Sequence, residues 1–309
     1  MIELIYEGKD INLEADVAVT GCVYTDCVHG RADSVRIAFS DAQKLWRLWA
    51  PQKGDAFEVR QGAIRSGKMY VSKLAARENT FVLAGSATPL SALGAASEGW
   101  ENIRLSELVS RMATQVGMTA ELSGVPDRLY ARFDRVAATV PAAIQFLCRR
   151  ESAALKAFDG RFLLLNERKL EQAGPVACLK PEDMTAPEFG TSDAGLLHEV
   201  TVQYVGANGQ ITGRWADGRI AGGTLVVETP VSSQGEAERF AKGFLRAANR
   251  RETFGAVTVL FDDGIAAGNV VEIQNYGSFS GRYCVDSVRH DMLNLRMRLG
   301  LRKPIKGDY

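Results

Sequence analysis

An internal repeat, whose copies lie 214 residues apart, constrains this chain more than any other feature. Residues 54–85 align without a gap with residues 268–299, and five of the 32 aligned positions are identical. The identical pairs are Gly54 and Gly268, Glu58 and Glu272, Ser66 and Ser280, Gly67 and Gly281, and Val71 and Val285. The alternation of apolar and polar residues also agrees, as in strands with one buried face. The repeat therefore predicts two similar β-domains.

The first predicted domain, residues 1–93, consists of short strands. Apolar residues alternate in four runs, at residues 2–6, 11–19, 35–39 and 69–71. The third of these runs is followed by Asp41, a suitable N-cap for a short helix that ends before Pro51. Many short strands with few helices are typical of a small barrel or sandwich.

The pattern then changes and predicts an α/β insertion at residues 94–190. Small residues at 91–99 form a plausible linker. Apolar residues at helical spacing predict a helix that begins near Leu105, and Pro141 suits the first turn of a second helix. The Asp159-Gly160 pair predicts a tight hairpin turn between two apolar runs.

The third predicted domain, residues 191–309, is again mainly β and contains the second copy of the repeat. We assign the strands near residues 191–230 to this domain, with turns at Asn208-Gly209 and Asp217-Gly218. Residues 233–251 carry the strongest helical pattern in the chain. One face of that helix is apolar, and the other carries four basic residues: Arg239, Lys242, Arg246 and Arg250.

Composition excludes several classes of function. Lys and Arg total 37, and so do Asp and Glu, so the formal net charge is zero and no global basic field attracts nucleic acid or membranes. No apolar run approaches the ~18–20 residues of a membrane span. The five cysteines are odd in number and scattered, as in a protein of a reducing compartment.

No catalytic, cofactor or metal motif stands out. Cys22, Cys27 and His29 are close in sequence, but their spacing matches no common zinc signature, so buried thiols and a loop histidine are the preferred interpretation. We expect no cofactor and no enzymatic activity. A triad that uses one of the three histidines stays open, because its members meet only in space.

Two groups of residues are singled out for structural roles. The pairs Ser66-Gly67 and Ser280-Gly281 are interpreted as equivalent turns of the repeat. The basic residues Arg239, Lys242, Arg246 and Arg250 are a candidate interface with another protein; a solvated helix face and a phosphate contact are the alternatives.

The C-terminal residues Gly281, Tyr283, Val285, Val288 and His290 carry a pattern that resembles the end of phage late control protein D. That family comprises the baseplate hub proteins of contractile tails. Three further segments resemble the family in the same order along the chain: residues 105–118, 142–165 and 264–273. The resemblance covers most of the sequence.

The resemblance implies two tail-tube-like β-barrel domains that flank the α/β middle domain. It further implies a homotrimer whose six barrels form a pseudo-hexameric ring between the hexameric tail tube and a trimeric spike. The expected partners are the tail tube protein and the spike, with other baseplate proteins and the tape measure as further candidates. Because the chain ends soon after the second copy, we expect the spike and any wall-degrading enzyme to be separate chains.

The expected location is the tail baseplate of a virion that is assembled in the bacterial host cytoplasm. We expect neither a membrane span nor specific nucleic-acid binding. Two alternatives of other classes stay open. A cell-wall-degrading hydrolase requires a deep pocket with convergent carboxylates or a histidine of strongly shifted pKa. A receptor- or carbohydrate-binding tail-tip protein requires a shallow groove with exposed aromatic side chains.

Overall fold

The computed structural model describes residues 2–11, 18–206 and 209–307, and these fold mainly into β-strands. The predicted strand positions Leu13, Ala15 and Val17 and the predicted turn residue Asn208 lie outside the described residues. The fold class is as predicted: mainly β, with an α/β region in the middle of the chain.

The first β-unit, residues 3–86, is a rolled arrangement of short strands. Its main strands lie side by side in the order β1-β5-β7-β8-β4-β3, with β2 beyond β1 and β6 beside β5. The elements are β1 (Glu3–Tyr6), β2 (Lys9–Asp10), β3 (Val19–Cys27), β4 (Ser34–Ser40), α1 (Leu45–Trp49), β5 (Ala56–Gln61), β6 (Ile64–Arg65), β7 (Met69–Arg77) and β8 (Thr80–Ser86).

The middle segment, residues 95–172, is the α/β region. Strands β10, β13 and β12 form one sheet, β9 and β11 form a two-stranded ribbon, and α2 and α3 pack beside them. Asp159 and Gly160 have φ of +49° and +71°, as the predicted hairpin turn requires. The elements are β9 (Ala95–Arg104), α2 (Leu105–Gln115), β10 (Thr119–Ser123), β11 (Leu129–Thr139), α3 (Val140–Arg150), β12 (Ala153–Phe158), β13 (Arg161–Asn166) and α4 (Glu167–Gln172).

The rest of the chain contains the second β-unit and a segment inserted into it. The second β-unit comprises residues 175–191 and 253–302, and the inserted segment comprises residues 192–252. The elements are β14 (Pro175–Leu179), β15 (Thr185–Thr191), β16 (Leu197–Gly206), β17 (Gly209–Ala216), β18 (Gly223–Glu228), α5 (Gln234–Asn249), β19 (Thr253–Leu260), β20 (Val270–Ile273), β21 (Gly281–Asp291) and β22 (Arg296–Arg302).

The assignment of the strands near residues 191–230 to the second β-unit is wrong. Strands β17, β16 and β18 form a separate three-stranded sheet, covered by α5. Val200, Val202 and Phe240 join the hydrophobic core shared by the first β-unit and the middle segment. Alternation shows that a strand has one buried face, but not which element covers that face.

The two β-units have the same strand order. The second β-unit runs β14-β20-β21-β22-β19-β15, which matches the first strand by strand in chain order. Each carries a bulge at the same place in the repeat, after Val71 in β7 and after Val285 in β21. One strand departs from the match, because β1 is antiparallel to β5 whereas β14 is parallel to β20.

The ungapped alignment holds only as far as Asp291. Arg77 pairs with Thr80 across the first hairpin, whereas Asp291 pairs with Arg296 across the second. The second turn is therefore two residues longer, and the equivalent of Phe81 is Met297 rather than Leu295. Burial agrees, since Phe81 and Met297 are buried and Leu295 is exposed.

One strand joins the two β-units into a single fourteen-stranded sheet. The first half of β21 pairs with β20 in its own unit, and residues 287–291 pair with β3 of the first β-unit on the same edge. Among the described strands, no pairing closes either unit into a complete barrel. A smaller core, centred on Val257, Val285 and Leu299, fills the second β-unit.

Candidate functional site

The loop between β3 and β4, residues 28–33, touches the other parts of the chain. Val28 N donates to Asp286 O at 3.0 Å, and Gly30 N donates to Leu155 O at 3.0 Å. Gly30 has φ of +85°, and a Cβ atom there would lie 2.3 Å from the Gln145 side chain. Only glycine fits this turn without displacing its neighbour.

Beside this loop lies a buried group that we name the arginine cluster. Its members come from the β3–β4 loop, α4, α5 and its C-terminus, and the second β-unit: His29, Glu167, Glu171, Arg246, Arg250, Asp286 and Arg302. Three guanidinium groups thus balance three carboxylates where the segments meet.

The distances in the arginine cluster are those of direct ion pairs. Arg302 binds Asp286 at 3.0 Å, Glu171 at 2.6 Å and Glu167 at 3.0 Å. Arg246 binds the same two glutamates, at 3.0 Å to Glu167 and 2.5 Å to Glu171. The side chains of both arginines are only 2% exposed. The pairs are buried and charge-assisted, and such hydrogen bonds are stronger than those between neutral groups.

His29 and Arg250 complete the cluster. His29 Nδ1 lies 2.9 Å from Arg250 Nη1, and Nε2 lies 3.4 Å from Asp286 and 3.6 Å from Glu167. Because the guanidinium can only donate, Nδ1 is the acceptor in this contact, and Nε2 faces the two carboxylates. The imidazole therefore bridges an arginine and two acids.

The charges of the cluster shift the pKa values of its members. Burial raises the pKa of the Asp286 carboxyl, but the hydrogen bond with His29 and the charge of Arg302 outweigh it and lower the pKa to about 2. Burial likewise raises the pKa of Glu167, and the neighbouring Arg302 and His29 bring it below the usual range. Both acids are held ionised by their partners.

A second buried group, the lysine cluster, includes Asp33 of the same loop and comprises Lys156, Asp26, Asp33 and Tyr24. Lys156 on β12 binds Asp26 and lies 3.3 Å from Asp33. Tyr24 donates to Asp33 at 3.0 Å, and Asp26 accepts from Ala267 N at 2.8 Å. This cluster joins the first β-unit to both the middle segment and the second β-unit.

One aspartate of the lysine cluster, Asp33, has a raised pKa. Burial raises the pKa of Asp33 to about 7, with Lys156 opposing the shift and Asp26 adding to it.

The four basic residues of the predicted interface do not form one partner-facing stripe. Arg246 is buried in the arginine cluster, which excludes it from a surface contact. Arg239 binds Glu151 at 3.2 Å, Lys242 lies 4.4 Å from the centre of the Trp215 ring, and Arg250 contacts His29. The prediction is corrected for Arg246, because the inserted sheet and the middle segment cover the face of α5 that looked solvated.

The paired turns of the repeat have positive φ at both glycines, +62° at Gly67 and +120° at Gly281. Their serines act differently. The Ser66 hydroxyl accepts from Val59 N at 2.9 Å, whereas that of Ser280 accepts from Tyr276 N at 2.8 Å. Gly67 also lies against the middle segment, where Lys68 N donates to the Asp159 carboxylate at 3.1 Å.

The described residues contain no group of three or more His, Cys, Asp and Glu side chains arranged to hold a metal ion. Cys22 and Cys27 are buried, and His29 belongs to the arginine cluster. His290 is buried and stacked on Tyr24, with ring centres 5.5 Å apart. Burial lowers the pKa of His290 to about 4, the behaviour of a core histidine.

The hydrolase alternative requires a pocket with convergent carboxylates. A candidate is an acidic groove of about 770 Å³ at the end of β14 and β19. It is lined by Glu182, Asp183, Asp262 and Asp263 among others. Three of these accept backbone hydrogen bonds: Asp183 from Lys180 N and Asp262 from Gly264 N within their own loops, and Asp263 from Ala63 N of the first β-unit. Those bonds give the carboxylates a structural role.

The receptor-binding alternative requires a groove with exposed aromatic side chains. A candidate is a groove of about 350 Å³ lined by Tyr6, Trp46 and Trp49. Trp46 is buried and stacks on Phe39 with ring centres 4.3 Å apart, so it belongs to the core of the first β-unit. Trp49 is 41% exposed and is the accessible ring of the three.

Sequence reasoning missed most members of both clusters. Motif searches do not find Asp286, Glu167, Arg302 or Lys156, because their partners are distant in sequence. One signal was present: Asp286 directly follows three apolar residues of β21, Tyr283, Cys284 and Val285. A charge in such a run requires a buried partner.

In the part of the chain that the structure describes, no helix is both long and apolar enough to cross a membrane. No protein-family model matches the sequence, and no curated protein matches it significantly.

Solved structures do share the fold. A 43 kDa tail protein of prophage MuSo2 from Shewanella oneidensis is 13% identical, with a TM-score of 0.73 over 98% of both chains. A tail protein from Neisseria meningitidis is 12% identical, with a TM-score of 0.74 over 98% of this chain and 96% of that one.

An E. coli component of the type VI secretion system is 7% identical, with a TM-score of 0.61 over 98% of this chain and 77% of that one. Its description notes structural similarity to the phage T4 tail proteins gp27 and gp5. The chain therefore has a fold found in phage tail proteins and in a component of this secretion system.

Proposed function

We propose that this chain is a structural hub protein of a phage-like contractile tail. Three copies assemble into a ring of six β-units, which joins the hexameric tail tube to a trimeric spike. The protein is located in the tail baseplate of the virion and is assembled in the host cytoplasm. The role requires complementary surfaces and no catalytic group.

One observation carries the proposal: two β-units of identical strand order lie edge to edge in one sheet. Three copies of such a chain present six similar units, which suits a junction between six-fold and three-fold assemblies. The fold that this chain shares with tail proteins from Shewanella oneidensis prophage MuSo2 and from Neisseria meningitidis supports the same role.

The two buried clusters support a rigid building block. They tie the β3–β4 loop to β12, α4, α5 and β21, so the two β-units keep a defined orientation. A ring that must match a fixed partner on each side needs this rigidity, because flexible units lose binding free energy on assembly.

Electron microscopy of the purified protein, alone and co-expressed with a trimeric spike protein, tests the proposal. Top views with three-fold symmetry and six similar lobes are expected. Compact monomers in both preparations contradict it. Release of fragments from peptidoglycan by the purified protein, abolished by Asp262→Asn, would instead favour the hydrolase alternative.

A further inference from the structure

The repeat contains one contact that the chain makes only once. Residues 287–291 of β21 pair with residues 23–27 of β3, so an edge strand of the first β-unit lies on the second β-unit. The strand equivalent to β21 in the first β-unit is β7, and the strand equivalent to β3 in the second is β15. Both equivalents are present, but they do not pair within the chain.

The edge of β7 that corresponds to residues 287–291 is open. Beyond Val71, residues 73–77 pair with β8 on one side and with no other described strand. Lys73, Ala76 and Arg77 are exposed, and Leu74 and Ala75 are half-buried. An unpaired edge with an apolar centre is a template for another strand.

The outer edge of β15 is open as well. It pairs with β19 alone among the described strands, and Glu188 and Thr191 are exposed. Pro187 lies in the irregular part of β15, before the regular residues 188–191, so its missing N–H falls outside the segment that would pair.

We propose that β15 of one copy pairs with β7 of a second copy, antiparallel, by the geometry that β3 and β21 have within the chain. This deepens the proposed hub function, on which it rests, by naming the strands that join one copy to the next. The contact is head-to-tail, and it closes into a ring when its rotation matches that of the contact inside the chain.

The internal repeat also predicts the register. Tyr24 pairs with His290, and Val23 pairs with Asp291. Strand β3 pairs with β4 in the first β-unit, and β15 pairs with β19 in the second. When the two units are aligned through these pairings, Phe189 is equivalent to Tyr24, and Glu188 is equivalent to Val23. Because residues 76 and 77 are equivalent to residues 290 and 291, Phe189 faces Ala76 of the next copy and Glu188 faces its Arg77.

Charge favours this register. Glu188 and Arg77 bring opposite charges directly across the strands, which stabilises an antiparallel pair. Within its own chain Glu188 lies 2.9 Å from Arg298, and the glutamate side chain is 73% exposed, so it can reach both cations. The open edges are therefore complementary in charge as well as in backbone hydrogen bonding.

Cysteine cross-linking tests the contact. Directly opposite Cα atoms in an antiparallel pair lie ~4.5–5.5 Å apart, within the ~4.4–6.8 Å range of a disulfide. In a Cys178→Ser background, which removes the exposed native thiol, Arg77→Cys with Glu188→Cys should give covalent dimers and trimers on non-reducing gels. The matched control, Lys9→Cys with Glu188→Cys, places one cysteine on the exposed strand β2 and should stay monomeric on the gel.

A charge swap separates recognition from folding. Glu188→Arg and Arg77→Glu should each lower the fraction of oligomer at least tenfold in analytical ultracentrifugation, and the double variant should restore it. A role confined to the Arg298 pair predicts no rescue and overturns the proposal. Three-fold rings without the 77–188 cross-link overturn this contact but leave the hub proposal standing. The β15–β7 pairing needs only copies of this chain, so a protein that stays monomeric at millimolar concentration and forms no cross-link overturns it. Co-expression with a spike protein then tests the hub proposal separately.

Discussion

At the residue scale, the junction clusters depend on complete pairing of buried charges. Arg246 and Arg302 are held by the same two glutamates, so each guanidinium satisfies carboxylates that the other also needs. The desolvation cost of such a network is offset only while every member is present. Loss of one partner leaves the remaining buried charges incompletely paired.

Asp286→Asn should therefore destabilise the fold strongly. The amide removes the negative charge opposite Arg302 and His29, and breaking a buried pair of this kind costs ~3–5 kcal/mol. The free energy of unfolding from urea titration, followed by circular dichroism, measures the loss. The control is Glu107→Gln, which removes an exposed ion pair with Arg111 and should cost no more than ~0.5 kcal/mol. Similar small effects for both variants would show that the cluster contributes little.

Acid should weaken the protein in a defined pH range. The folded-state pKa of Asp286 is about 2, below the ordinary value of 3.8, and that of Glu167 is also lowered. The stability from these carboxylates is therefore present above about pH 4 and is lost as the pH falls towards 2. Thermal unfolding between pH 2 and pH 6 should show this slope, and Asp286→Asn should flatten it. An unchanged slope in the variant would assign the acid sensitivity to other groups.

At the element scale, the repeat is retained where the chain turns and bulges. Val71 and Val285 precede equivalent bulges, and each exchanges two backbone bonds with the loop before its hairpin. The sequence alignment detected this match because Gly54, Gly67 and their partners are identical. It could not detect the longer second turn, because apolar alternation continues unchanged through a two-residue shift.

The Ser66-Gly67 turn should tolerate substitution less well than its equivalent. Gly67 has φ of +62°, and a Cβ atom there would lie 2.8 Å from that of Asp159, whereas the position at Gly281 is open. Gly67→Ala should cost ~2–5 kcal/mol from backbone strain together with overpacking, and Gly281→Ala ~1–3 kcal/mol from backbone strain alone. Gly218→Ala, at an open position without positive φ, is the control. Urea unfolding that ranks Gly281→Ala as the more damaging change would contradict this account.

The elements with a strong local pattern form where the sequence predicted them, whereas the burial of α5 was not predicted. Helices α2 and α3 and the Asp159-Gly160 hairpin form where predicted. Helix α5 forms too, but no residue after Gly235 in it is exposed. Its amphipathic pattern indicated one apolar face, and the buried partners of Arg246 are invisible in that pattern because they come from α4.

At the scale of the whole molecule, one sheet connects two unequal cores. The larger core spans the first β-unit, the middle segment and the inserted segment, whereas the smaller one fills the second β-unit. Pairing of β3 with β21 and the two charge clusters couple the cores. These links lie where the two β-units meet, whereas the apolar contacts of each core lie within that core.

The second β-unit should therefore open before the rest. With fewer buried apolar side chains to hold it, hydrogen exchange in β19–β22 should become fast at a lower urea concentration than exchange in β12 and β13. Mass spectrometry of peptides from residues 253–302 and 153–166 measures both. Coincident exchange across the two regions would show that the shared sheet makes unfolding a single cooperative step.

The sequence by itself determined the mainly β class, the repeated unit, its turn positions and the main helices, because these depend on local alternation, glycine placement and helical spacing. Only the tertiary structure decided which strands complete the second β-unit, where β21 meets β3, and how Arg246 and Asp286 are paired. These features join residues far apart in the chain. Their free energy comes from burial and charge pairing in three dimensions, which no local pattern records.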